Sequence, residues 1–419
     1  MTTSTILIWV ISALSIALVI IRPLRVPEFV WAASGALLLL ALRLLTLPEG
    51  MAGVAKGLDV YLFLTGMMLL AETARKERLF DWLAAHATRL SHGSAQRLFL
   101  LIYLVGVVVT TFLSNDATAV VLTPAVASTV RAARVKNPLP YLLICAFIAN
   151  AASFVLPISN PANLVIYGKH MPPLLTWLPR YLLPSAVAIG ATYFLLFFTQ
   201  KKDLSSQIEE NVELPTLGRG GQVALGGIGV TAGALLFASA RGLELGLPTA
   251  ITGGLTALIV LVSARKSPVD LLKGISWSVL PLVAGLFVLV EALNKTGVTR
   301  YLTTLLTHGA EQSATKTAWA SGVGVAVLCN VMNNLPAGLI VGNVLQSAHV
   351  SETIKSAMLI GIDLGPNLSV TGSLATILWL TALRREKIKV TAWQFLKLGA
   401  LVMTVPLLLA IGSLFLLAR

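Results

Sequence analysis

Long apolar runs recur from Thr5 to the end of the chain, and this recurrence leaves few folds open. Crossing the hydrocarbon of a bilayer takes about 20 residues of helix. Lipid-facing irregular backbone and open sheet edges are not tolerated at that depth, which leaves an all-α polytopic membrane protein. With 56% hydrophobic and 12% charged residues, a soluble globular fold is excluded. The net charge of +13 does not point to nucleic acid, because the basic residues stand singly between apolar runs, as topology-setting charges do.

Read in order, residues 5–21, 28–45 and 58–73 are expected as spans, followed by a charged amphipathic stretch at 74–96. The first run has no basic segment ahead of it and no small-residue cleavage site, so it is expected to be a mature helix rather than a signal peptide. Residues 97–130 then form two short apolar arms around Leu113-Ser114-Asn115-Asp116-Ala117-Thr118. A polar tip between such arms suggests a re-entrant hairpin whose backbone ends meet a cavity. Residues 138–167 read as one helix broken at Pro157 and Pro161, since proline removes backbone donors. A span at 179–199 and a polar linker at 200–221 complete the first half. The order then repeats: spans at 222–239, 248–263 and 277–293, a hairpin at 317–344, a broken helix at 356–383 and a last span at 392–417.

The repetition extends to residues. Gly66 through Glu72 matches Gly285 through Glu291 at a shift of 219, and the same shift carries Asn115 onto Asn334. Ser159-Asn160-Pro161 matches Thr371-Gly372-Ser373 at 212. Ten crossings plus two hairpins give five crossings per half, so 1–199 and 222–419 are expected to be inverted repeats joined by a cytoplasmic linker. With the N-terminus outside, twenty basic residues fall in inside loops and nine in outside loops. That bias places both termini outside.

Four polar breaks should therefore meet near mid-membrane. Ser114, Asn115, Thr118, Ser159, Asn160 and Asn163 from one half, with Asn333, Asn334, Asn367, Ser369, Thr371 and Ser373 from the other, offer donors and acceptors beside half-helix ends. For any single residue, capping explains the side chain as well as solute contact does; the set favours a transport site. Asp116 and Asp363 are intramembrane carboxylates, costly unless paired or functional, and are expected to couple proton flow to transport. Glu72 and Glu291 sit near helix ends, where ion pairing explains them equally well. Cys145 and Cys329 read as buried hydrophobes, and the histidines fall in or near loops. With no phosphate loop, nucleophile, metal or dinucleotide constellation, a transporter without cofactor is expected rather than an enzyme.

The run Phe112 to Pro124, then Met332-Asn333-Asn334-Leu335-Pro336, then Gly361-Ile362-Asp363-Leu364-Gly365-Pro366-Asn367 through Gly372-Ser373-Leu374-Ala375-Thr376-Ile377-Leu378-Trp379 resembles the ArsB arsenite/antimonite efflux permeases of the ion transporter superfamily. The similarity spans nearly the whole chain. It implies a prokaryotic inner-membrane antiporter that exports arsenite or antimonite as the neutral trihydroxide against protons. It further implies an elevator-like movement of a hairpin-bearing core against a scaffold; members of that family can also work with a cytoplasmic ATPase subunit. Ser114, Thr118 and Ser159-Asn160-Pro161-Ala162-Asn163 depart from the family pattern, which keeps sodium/proton antiporters and silicic acid or dicarboxylate transporters as alternatives.

Overall fold

A computed structural model describes residues 2–23, 26–168, 171–209, 214–264 and 266–417. Arg25, Lys169 and Arg265 from the charge count, and His170, lie outside the described residues. The described chain is helical throughout, in two halves whose elements follow one order. In the first half α1 (Thr3–Ile21) and α2 (Glu28–Ala41) precede α3 (Leu47–Lys56) and α4 (Leu58–Lys76), then α5 (Leu79–Leu90) and α6 (Ala95–Phe112). After a tip come α7 (Asn115–Ala117), a π-helical turn at Thr118–Leu122, α8 (Thr123–Ala132), α9 (Leu139–Ala151), α10 (Pro161–Tyr167) and α11 (Leu174–Gln200). The second half runs α12 (Arg219–Ala240), α13 (Gly246–Ala264), α14 (Pro268–Gly274), α15 (Val279–Lys295), α16 (Val298–Gln312), α17 (Ala314–Met332), α18 (Asn334–Ser347), α19 (Glu352–Leu364), α20 (Leu374–Arg385) and α21 (Ala392–Leu417).

Among the described residues six single helices are long and apolar enough to cross a bilayer, and eight spans result when two bent pairs each count once. The ten expected crossings emerge once the short α2 and the two interrupted helices are added and α6, a hairpin arm, is set aside. Three expected spans differ in detail. The second helix stops at Ala41, not residue 45. The third is preceded by α3, which meets α4 at a 47° bend beside Gly57. In the second half α14 meets α15 at 43°. These extra helices start from local capping rather than apolar runs. Thr46 accepts from the Glu49 N–H while Glu49 returns a bond to the Thr46 N–H, and Ser267 caps α14.

The halves exchange partners. In one set of crossings α4 packs on α13, and in the other α15 packs on α2. The matching motif at Gly66 and Gly285 explains itself here: a Cβ on Gly66 would lie 2.2 Å from the Thr249 carbonyl oxygen, and one on Gly285 would lie 2.7 Å from the Ala32 carbonyl carbon. Each glycine is the point where two helix backbones touch. A second group contains both hairpins and both broken helices, with α11 against α21. The second arm of the first hairpin lies against α20, and that of the second hairpin against α10, so the halves interlock.

The linker fixes the direction of the first hairpin. Ile208 N–H donates to the Gly93 carbonyl and Glu209 N–H to the Ala133 carbonyl, each at 3.0 Å. Gly93 precedes α6 and Ala133 follows α8, so both ends of the hairpin meet one short segment, and the hairpin returns to the side it entered.

Candidate functional site

The two hairpin tips are built alike. Ser114 ends the turn of the first and caps the arm that follows, its hydroxyl accepting from Ala117 N–H; Asn333 caps α18 in the second, its amide oxygen accepting from Leu335 N–H. They are 219 residues apart. Asn333 has φ 74° and ψ 153°, a region that glycine normally fills, and such backbone persists only where the surroundings hold it. Those surroundings are visible: Asn334 N–H donates to the Gly372 carbonyl at 2.9 Å, and the Asn333 amide donates to the Thr371 carbonyl at 3.4 Å. Asn330 donates to the Gly365 carbonyl and accepts from Ser369, while Thr371 donates to the Asn330 carbonyl. The second tip thus lies on the second broken helix. On the other side the Ser159 hydroxyl donates to the Thr111 carbonyl at 2.9 Å, joining the first tip to the first break.

The breaks themselves are joined across the repeat. The Asn160 amide caps α10 and donates to the Asp363 carboxylate. In the related position Asn150 donates to Asn367 at 2.9 Å and to Thr376 at 3.5 Å, and Asn367 donates to the Phe147 carbonyl. Asn150 and Asp363 hold equivalent places near the ends of α9 and α19, and Asn160 and Ser373 are the equivalent caps. The structural shift between the breaks is therefore 213, and the expected 212, which set Asn160 against Gly372, is one residue short. Asn163 holds the Ser153 and Pro157 carbonyls, and Ser373 caps α20 through Thr376 N–H.

A cavity of about 70 Å³ opens beside the first tip. Ser114, Asp116, Val120 and Pro161 form one wall, Met67, Met68 and Glu72 of α4 another, and Gly274, Ile275 and Ser276 at the α14–α15 bend close the end. Its polar groups are Ser114, Asp116, Glu72 and Ser276, and among the described residues no Lys, Arg or His lines it. Beyond that lining, Glu72 is engaged by Arg75 through two bonds of 2.6 and 2.5 Å. Asp116 is partly buried, and no hydrogen bond or ion pair engages its carboxylate among the described residues. Asp363 is fully buried, with one oxygen on Asn160 and the Ser153 hydroxyl beside the carboxylate.

The structure brings all four breaks together but divides the expected residues. Ser114 and Asp116 face the cavity. Thr118 bonds to Thr110, Asn115 accepts from Asp116 N–H, and among the described residues the Asn334 side chain makes no hydrogen bond. Ser159, Asn160, Asn163, Asn367, Thr371 and Ser373 hold the broken backbone and one another. Asn150, Asn330 and Thr376 belong to the same network without having been expected. The signal for two of them was available, since Asn150 is the repeat partner of Asp363 and Thr376 of Asn163 at a shift of 213.

Comparison with known proteins gives consistent results. The family model described as "Citrate transporter" (CitMHS) matches residues 16–365. The chain is 28% identical over 348 residues to the arsenical pump membrane protein of Yersinia enterocolitica, covering 78% of this chain and 79% of that one. It is 29% identical over 358 residues to the Escherichia coli K12 protein of the same name, with the same coverage. An uncharacterised transporter of Mycobacterium tuberculosis is 24% identical over 421 residues, 94% of each chain. Among solved structures, the Alcanivorax borkumensis YdaH transporter matches with a TM-score of 0.57 at 14% identity, over 88% of this chain and 86% of that one.

Proposed function

Since this chain belongs to the CitMHS citrate transporter family, we propose that it is a secondary active transporter exporting arsenite and antimonite, as neutral trihydroxides, in exchange for protons. The observation that carries this reading is the lining of the cavity at the first tip. Its ionisable groups are Asp116, unpaired among the described residues, and Glu72, already paired with Arg75, so no free cation is left there for an anion. Moving citrate or another polycarboxylate into it would set like charges together in a site of low dielectric. A neutral trihydroxide meets no such penalty, and hydroxyl and carboxylate oxygens suit its O–H groups. Size agrees: at about 10–15 Å³ per water-sized position, the cavity of about 70 Å³ holds roughly five to seven.

In this reading Ser114 contacts the solute in the cavity, and Asn115 and Asn334, which lie outside its lining here, contact it together with exposed backbone at the tips once the hairpins move. Asp116 loads and releases the proton, because its carboxylate is unengaged and opens on the cavity. Asp363 and the residues around it, Thr118, Ser159, Asn160, Asn163, Asn333, Asn367, Thr371 and Ser373, keep the broken helices crossed so that their ends stay presented to the solute. Residues 1–199 and 222–419 act as inverted repeats joined by a cytoplasmic linker, in a prokaryotic inner membrane with both termini outside. The cavity then opens inward, ready to take solute from the cytoplasm, and the hairpins and broken helices move as one body along α1–α4 and α12–α15. A cytoplasmic ATPase subunit is a partner compatible with this arrangement.

The test is growth of an arsenite-sensitive bacterium carrying the gene. Wild-type protein should raise the tolerated arsenite concentration, and Asp116→Asn should abolish the gain with membrane abundance unchanged. Equal resistance with Asp116→Asn removes Asp116 from the cycle, and citrate uptake without arsenite resistance overturns the substrate assignment.

A further inference from the structure

We propose that the groove between α16 and the second hairpin binds an anionic glycerophospholipid, with the phosphate at Lys316 and an acyl chain along the groove. A cavity of about 620 Å³ lies there, within the range of ligand-sized sites. It is polar at one end and apolar along its length: Ser313 and Lys316 form the mouth, and Leu306, Leu328, Ile340 and Val344 the walls. A lipid has that same division.

The repeat shows what normally stands at this place. At a shift of 219, Ser313 and Lys316 correspond to Ser94 and Arg97, and each serine caps the first arm of its hairpin by accepting from the N–H of residue 316 or 97. At Ser94 the linker closes the hairpin base, with Gln207 in a β-bridge to Ser94 and Ile208 bonded to Gly93. Among the described residues, no hydrogen bond brings another segment of the chain to Ser313. The cap helices differ in the same sense. In the first half α5 buries Leu79, Phe80 and Ala84 among others, whereas α16 buries Leu306 alone. The second cap helix touches both arms of its hairpin, as the first does, but it buries less of its own surface, and the slot between it and the arms stays unfilled by this chain.

Charge decides for a lipid phosphate over an uncharged occupant. Lys316 is exposed and joins no ion pair among the described residues, whereas Lys295 and Lys355 of the same half are paired with Glu49 and Glu352; Arg300, at the far end of α16, is outside the lining of the groove. Lysine at the end of an apolar face lays its stem on that face and presents its ammonium at headgroup level.

The experiment is lipid titration of the purified full-length protein in detergent, followed by native mass spectrometry, with phosphatidylglycerol against phosphatidylcholine of the same chains. Two variants divide the groove: Lys316→Ala at the mouth, and Gly324→Phe in the wall, where an added Cβ meets nothing within 4 Å and the ring would fill the slot. Wild type should hold one phosphatidylglycerol about fivefold better than phosphatidylcholine, the worth of one lysine–headgroup attraction. Lys316→Ala should erase the preference, and Gly324→Phe should remove the tightly held lipid. Equal retention of both lipids by wild type overturns the proposal without recourse to a variant. So does phosphatidylglycerol retention unchanged in both variants, or a second copy of the chain or another protein cross-linking to Gln312 in membranes.

Discussion

At the scale of single residues, two acids of one type have different surroundings. Asp116 opens on a cavity, while Asp363 is enclosed and tied to Asn160. Asp116→Asn should leave the fold intact, since the carboxylate holds no other group, and should remove the response of transport to an imposed pH gradient. Asn160→Ala should act on stability instead. It strips a buried carboxylate of its donor and α10 of its cap, a loss of about 1–3 kcal/mol, and the thermal unfolding midpoint of the purified protein should fall. An unchanged midpoint would mean that the Asn160–Asp363 bond does not hold the crossing. Both acids were legible in the sequence as polar groups in apolar surroundings. Which one reaches a cavity was not, because access depends on how α4 and the α14–α15 bend pack against the tip.

Elements were legible where they follow from the chain's own pattern. Proline and glycine mark the two broken helices, and the repeat shift of 219 aligns Ser114 with Asn333 as caps of the returning arms. The short helices α3 and α14 escaped, because they lack an apolar run and arise from capping by Thr46 and Ser267. The close helix crossings were present as a repeated glycine but had no visible partner until α13 and α2 were in place. Gly66→Leu and Gly285→Leu should each prevent normal packing, since the first side-chain carbon already overlaps a backbone atom. Overpacking of this kind costs about 1–3 kcal/mol and often more. Loss of the monodisperse species on size-exclusion chromatography checks it, and a folded, active Gly66→Leu protein would show that the helices separate freely. By contrast, Gly229→Leu, where an added Cβ meets nothing within 4 Å, should be tolerated.

For the whole molecule, α2 packs on α15 and α13 on α4, the reciprocal exchange that two related halves make. Their opposite insertion belongs to the proposed reading; the relation between the halves was readable from the sequence in the repeated order of elements. The bonds that join the copies, Asn150 to Asn367 and Asn160 to Asp363, were not, because they link residues about half the chain apart and need the one-residue correction from 212 to 213. Orientation has its own check in single cysteines probed with an impermeant maleimide on intact cells. Glu311→Cys should react from outside, and Lys387→Cys only after the membrane is opened; the reverse pattern would invert the topology.

The central claim is that the pocket passes a small neutral oxygen-rich solute against protons. It is tested most directly by arsenite uptake into everted membrane vesicles with and without an imposed proton gradient, with citrate and sodium as the competing cargoes. Gradient-driven arsenite accumulation, lost with Asp116→Asn and unaffected by excess citrate or by sodium, is the predicted result. Uptake of citrate in place of arsenite, or arsenite movement indifferent to the gradient, would contradict it.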